Sequence, residues 1–146
     1  MTLEEQLSKA TKIAVEIHNI QLDRSNQPYI NHVLRVMNLG QTIQEKIVGA
    51  LHDVIEDSNL SIDDLINEGF ENYILDAVHA ITFYDKQETY DEYIDRVICN
   101  PIALRVKLND LSDNMDLRRL EVIDEKVIER LKKYFSAYKK IIKSIK

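Results

Sequence analysis

Apolar residues recur every three or four positions along most of the chain, the spacing of helices that bury one face. The pattern predicts seven or eight helices with short joins. The first covers about residues 3–19, with Thr2 as its cap and Glu5 three positions on, a capping-box arrangement. The polar stretch from Gln21 to Gln27 then interrupts the periodicity. Pro28 suits the first turn of a helix running to about Leu39, and Gly40 ends it. Further helices are expected over about 42–57, from the Ser61 cap to near Gly69, over 71–84 and 89–99, from Pro101 to about Leu117, and from Asp124 to Ser144. No alternating run is flanked by a hairpin turn pair, so strand signals are weak. The expectation is an all-α fold.

Two of these helices carry more than packing. On a helix, Ile47, Val48, Leu51, Val54 and Ile55 share one arc, and His52, Asp53, Glu56 and Asp57 occupy the next. Three carboxylates this close repel unless a cation or a proton intervenes. A solvated acidic face with one boundary histidine is the bland alternative, because charged helix faces are common. The segment from Arg105 to Leu117 is apolar on two sides. Leu104, Leu108, Leu111 and Met115 form one stripe, and Ala103, Val106 and Leu117 the other, with Asp110 and Asn114 lying in it. An ionised Asp covered on both sides needs a partner, either a metal or a base such as Arg35 or Lys107. His32 sits inside the apolar arc of its own helix, between Val36 and Leu39, where a hydrogen-bonded core histidine is the usual finding.

Composition narrows the setting. The chain has 146 residues, 45% apolar and 30% charged, an ordinary globular mix expected to form one domain over residues 1–146. Three Gly and two Pro are too few for a turn-rich β-fold. One cysteine, Cys99, suits a reducing compartment, and the first residues lack the basic-then-apolar layout of a secretion signal, so the expected location is cytoplasmic. Cys99 has no activating neighbour in sequence and is expected to be an inert buried thiol. No apolar run approaches the roughly 20 residues that span a bilayer. Residues 126–146 carry eight Lys/Arg and one acid, leaving a net charge of −13 on the rest. A body this acidic disfavours nucleic acid and suits divalent cations. The basic tail repeats apolar residues at helical spacing. It is expected to dock on the acidic body or to pair with a second subunit as a homo-oligomer.

Taken together, the segments offer two imidazoles and at least two carboxylates from separate helices. Nitrogen and oxygen donors without thiolate fit Mn²⁺, Fe²⁺, Co²⁺, Ni²⁺ or Zn²⁺ better than Ca²⁺. Glu56 and Asp57 stand one turn away, where an acid or base for a metal-bound water belongs.

The order Arg24, Pro28-Tyr29-Ile30-Asn31-His32, Ala50-Leu51-His52-Asp53-Val54-Ile55-Glu56-Asp57 and Val106-Lys107-Leu108-Asn109-Asp110, with Asn114 beyond, resembles the HD-domain metal-dependent phosphohydrolases. It is similar most of all to the ppGpp-hydrolysing domains of RelA/SpoT-type enzymes and their small stand-alone relatives. The resemblance covers residues 18–117. It implies a single helical HD-type domain in which His32, His52, Asp53 and Asp110 hold one divalent ion, Mn²⁺ first and Mg²⁺ among the other candidates. It implies that Glu56 and Asp57 activate water and handle protons, that Arg24 faces a nucleotide base, and that Asn114 meets base or ribose. The implied reaction is hydrolysis of a 3′-pyrophosphate ester. Ser25, Gln27 and Val33 depart from the usual residues, and the segment from Arg24 to His32 is short, all around the implied base pocket. A phosphatase for another nucleotide, a non-catalytic nucleotide-binding module, and a two-iron enzyme using His18 or His79 are the alternatives.

Overall fold

Short polar side chains start most of the helices. In the computed structural model, which describes all 146 residues, Thr2, Thr42, Ser61, Thr89, Asn100 and Asp124 each accept a bond from a backbone N–H of the first turn. They open α1 (Leu3–His18), α3 (Ile43–Leu51), α4 (Ile62–Asn67), α6 (Tyr90–Ile98), α7 (Pro101–Asn114) and α8 (Glu125–Ile145). Pro28 precedes α2 (Tyr29–Leu39), and Glu71 precedes α5 (Asn72–Ile81). A 3₁₀ turn, Leu117–Arg119, separates α7 from α8. There are no strands, only an isolated bridge between Leu22 and Pro28.

The helices α3 and α7 form the centre. α3 packs on α1, α2, α5 and α7, and α7 also packs on α2, α5, α6 and α8. Ile47, Val48 and Leu51 of α3 meet Ile74 and Val78 of α5 and Val106 and Leu111 of α7 in one core. Each such side chain contributes about 1.5–3 kcal/mol when fully buried. Gly49 lets α2 lie close on α3: a Cβ there would stand 3.0 Å from the Met37 Cα.

Three helices are shorter than their periodicity predicts. α3 ends at Leu51, not near residue 57, and His52 to Asp57 form consecutive turns. The His52 ring takes the Gly49 carbonyl at 2.6 Å. That is the acceptor the Asp53 N–H would need to continue the helix. α5 ends at Ile81 because Arg96 binds the carbonyls of His79, Ala80 and Thr82. α7 stops at Asn114, so Leu117 leaves the predicted stripe and is exposed. Cys99 is also exposed, contrary to the buried thiol expected, because it caps the end of α6. No helix is long and apolar enough to cross a membrane.

The C-terminal helix docks on the chain's own body. Val127, Ala137 and Ile141 are buried, and Lys140 pairs with Asp91 and Asp95 of α6.

Candidate metal centre

The polar loop before α2 is built by Asp23. Its Oδ1 accepts from the N–H groups of Ser25 and Gln27, and Asn26 adopts φ 59°, a left-handed conformation that Asn tolerates. The loop delivers the chain into α2 with Tyr29 and His32 facing α3 and α7. His32 is 1% exposed and His52 is 2% exposed.

The four expected ligands converge. Ligand atoms of His32, His52 and Asp53 all lie within 4.8 Å of one another. His32 Nε2 stands 3.0 Å from Asp110 Oδ1 and 3.9 Å from Asp53 Oδ2. His52 Nε2 stands 3.0 Å from Asp53 Oδ2 and 3.4 Å from Asp110 Oδ1. Helix α2 supplies one ligand, the turn after α3 two, and α7 the fourth. Asp110 is outside that three-residue cluster but stands beside both imidazoles, and it also has one of the basic partners foreseen for it. Lys107 Nζ binds its Oδ2 at 2.8 Å, whereas Arg35 goes to Asp113 instead.

The tautomers suit a cation. His52 Nδ1 donates to the Gly49 carbonyl and His32 Nδ1 to Asp113 Oδ2, both at 2.6 Å. A ring whose Nδ1–H is fixed in this way presents Nε2 as the ligand atom. Both Nε2 atoms are buried and make no hydrogen bond. Buried polar atoms rarely go unpaired, and a divalent ion between these nitrogens and the two aspartates would satisfy both.

Charge in the site is strongly coupled. Burial opposes the charge on His52, but Asp53 and Asp110 outweigh it and hold the imidazole well above its ordinary pKa. His32 is raised in the same way by Asp110 and Asp113. Burial also opposes the charge on Asp53 and Asp110. The His52 ring beside the first, and Lys107 and both imidazoles beside the second, keep the two carboxyls below the usual range. Glu56 and Asp57 open to solvent at the rim. The protein around its carboxyl, and then the charge on Asp53, push Glu56 up to about 8. The same two causes raise Asp57, against a hydrogen bond donated by the Gln21 side-chain amide.

Supporting residues went unread in the sequence. Asp113 accepts from His32, from Arg35 at 2.8 Å and from Arg119 at 2.9 Å. Tyr29 donates its hydroxyl to Asp53. Beside Tyr29 lies a cavity of about 310 Å³, lined by Arg24, Asn114, Arg119, Arg130 and Tyr134 among others. This is within the range of small-molecule sites, about 300–1,000 Å³. Arg24 and Asn114, expected at the substrate, thus both line it. Asn114 also donates to Asp110 Oδ1 at 3.1 Å, linking the cavity to the ligand set. Arg119, Arg130 and Tyr134 come from the 3₁₀ turn and α8, segments with no local chemical signature. His79 is exposed and bonds Tyr84, and His18 bonds Gln21; neither joins a cluster of ligand atoms.

The sequence as a whole is similar to known proteins. A probable GTP pyrophosphokinase of Mycobacterium leprae is 30% identical over 125 residues, 77% of this chain and 16% of that protein. A guanosine-3′,5′-bis(diphosphate) 3′-pyrophosphohydrolase of Aquifex aeolicus is 28% identical over 122 residues, 76% of this chain and 17% of that protein. The chain is similar to the RelA/SpoT-type hydrolase domain of the HD superfamily. It spans about a sixth of the length of these curated relatives. The fold of the family is seen in a solved structure of a metazoan ortholog of SpoT described as hydrolysing ppGpp. That structure superposes with a TM-score of 0.76 at 24% identity, covering 97% of this chain and 85% of the other. No family model matches the chain.

Proposed function

We propose that this chain hydrolyses the 3′-pyrophosphate of a ppGpp-type guanine nucleotide with the help of a divalent ion, Mn²⁺ in first place. The observation that carries the reading is the pair of buried, unpaired Nε2 atoms facing Asp53 and Asp110, one tyrosine away from a cationic cavity. The names borne by the A. aeolicus relative and the metazoan structure support the same substrate. His32, His52, Asp53 and Asp110 would hold the ion. Such an ion polarises a phosphoryl oxygen and lowers the pKa of bound water.

The chain's own groups supply the rest. Asp57 accepts a proton from the attacking water. Glu56, whose pKa is raised in the metal-free chain by the protein around it and by Asp53, can give a proton to the departing oxygen. Arg24, Arg119 and Arg130 face the cavity as cations toward the phosphates and base, and Tyr134 offers a ring for stacking. Asn114 joins recognition to catalysis through its bond to Asp110.

A second reading, hydrolysis of another nucleotide phosphoester at the same centre, is favoured by Ser25. Its hydroxyl is tied to the Arg119 carbonyl at 2.9 Å and so gives the cavity wall a different edge from the basic residue usual there. One experiment separates the readings. The purified chain is incubated with Mn²⁺ and a panel of nucleotides that includes ppGpp, and phosphate and pyrophosphate release are scored. Pyrophosphate from ppGpp as the fastest reaction supports the first reading. Orthophosphate release from a monophosphate as the fastest reaction replaces it with the second, and no turnover of any member rejects both.

A further inference from the structure

His18 closes α1 at 0% exposure, and its Nε2 has no hydrogen-bond partner. Burying an imidazole with a bare nitrogen is unfavourable compared with an apolar side chain of similar size. Its other nitrogen has a definite task. Nδ1 lies 2.8 Å from Gln21 Oε1, an oxygen that only accepts, so Nδ1 carries the proton. The Gln21 amide nitrogen then faces the metal centre and donates to Asp57 Oδ2 at 3.1 Å. The Tyr29 ring, 5.3 Å from the imidazole centre, walls His18 on one side.

The direction of this chain of bonds matters. A glutamine amide can turn end for end. Reversed, it would aim its carbonyl at a carboxylate and repel it. The Nδ1–H of His18 favours the orientation that presents the amide N–H. Asp57 lies in the turns after α3, with its backbone N–H bonded to the Asp53 carbonyl. The Gln21 amide is the only side chain that donates to its carboxylate, and Oδ1 accepts nothing within the chain. The amide therefore fixes the rotation of the carboxylate and leaves Oδ1 for a reacting water.

We propose that Gln21 is a positioning residue for Asp57 in the hydrolytic step, with its amide oriented by the buried His18. This rests on the role given to Asp57 above.

The test is steady-state kinetics of the Mn²⁺-loaded full chain on the best substrate of the panel, with metal content and melting temperature measured alongside. Gln21→Met and Gln21→Asn, whose amide is one carbon too short, are each expected to lower kcat by about 10- to 100-fold. KM should stay within about twofold of the parent, as for an interaction used in the chemical step. His18→Asn, whose side-chain N–H takes the place of Nδ1–H, should retain most of kcat, and His18→Phe should lose as much as Gln21→Met. Added to Asp57→Asn, Gln21→Met should cost nothing further, because the two act as one unit. Wild-type kcat in both Gln21 variants overturns the proposal, as does full multiplication of the losses in the double variant. An equal loss in His18→Asn and His18→Phe overturns the orienting role of His18. A parent chain that hydrolyses no substrate overturns the functional reading and this inference with it, an outcome visible before any substitution is made.

Discussion

The two sides of Tyr29 are built on opposite principles. On the inner side, each ligand is tied to a partner of its own: His32 to Asp113, His52 to the Gly49 carbonyl, Asp53 to Tyr29, Asp110 to Lys107 and Asn114. On the outer side, Arg24 and Arg130 line the cavity without any ion-pair partner in the chain. Only Arg119 is anchored there, on Asp23 and Asp113. The inner side is pre-organised, as the proposed cation requires. The outer side keeps cations free for an anion from elsewhere. Substitutions inside should therefore abolish chemistry or metal binding, and substitutions outside should weaken substrate binding and leave the chemical step.

The largest effect is expected from Asp110→Ala. It removes a ligand, so turnover should fall by about 10³-fold or more, the equivalent of several kcal/mol. It also strands the Lys107 ammonium, which is 8% exposed as a residue. Stranding a buried charge costs about 3–5 kcal/mol, to be read as a lowered denaturation midpoint. Turnover near the parent rate would dissolve the distinction between the two sides.

Asp113→Ala removes no expected ligand; it takes away the acceptor behind His32 and, with it, one of the two anchors of Arg119. Mn²⁺ affinity measured by titration should fall by about 10- to 100-fold while full loading at high Mn²⁺ restores activity. Arg130→Ala and Arg24→Ala should each raise KM by about tenfold, about 1.4 kcal/mol, with kcat little changed. A fall in kcat alone would move these arginines to the inner side.

A smaller effect follows from the imidazoles. Their pKa values are raised in the folded chain. Protonated, they add stability to the metal-free protein that is full below the unfolded value of about 6.5 and is lost as pH rises through the folded value. Mn²⁺ competes with those protons. The rise in melting temperature on adding Mn²⁺ should therefore grow between about pH 6 and about pH 8, by roughly 4 °C per kcal/mol of binding gained. A rise that shrinks over that interval would show that these rings do not bind the ion.

The inner side was legible because its residues sit in three short segments with diagnostic spacing. His52 and Asp53 adjoin, Asp110 lies in a helix apolar on two sides, and His32 follows a proline and tyrosine. Asp113 was not, since an aspartate three positions beyond Asp110 on the same helix signals nothing until Arg35 and His32 are seen around it. The end of α3 was also hidden. No Gly or Pro lies in the turns just after Leu51, and the break comes from the His52 ring taking a carbonyl, which periodicity does not register. Arg119, Arg130 and Tyr134 reach the cavity from a 3₁₀ turn and from a helix whose apolar repeat reads as packing. Cys99 was misread because a small apolar residue at the end of an amphipathic helix is buried or exposed according to one residue of phase.

Lys107 is the basic neighbour of Asp110. Its ammonium lies 2.8 Å from Oδ2 and over the Tyr93 ring at 5.2 Å from the centroid. The chain thus carries its own counter-ion for a deeply seated carboxylate. Maturation can proceed in two stages, with the helices assembling first and the cation captured afterwards by a finished cage. Depleting metal from such a protein should idle it and leave it ready to be reloaded.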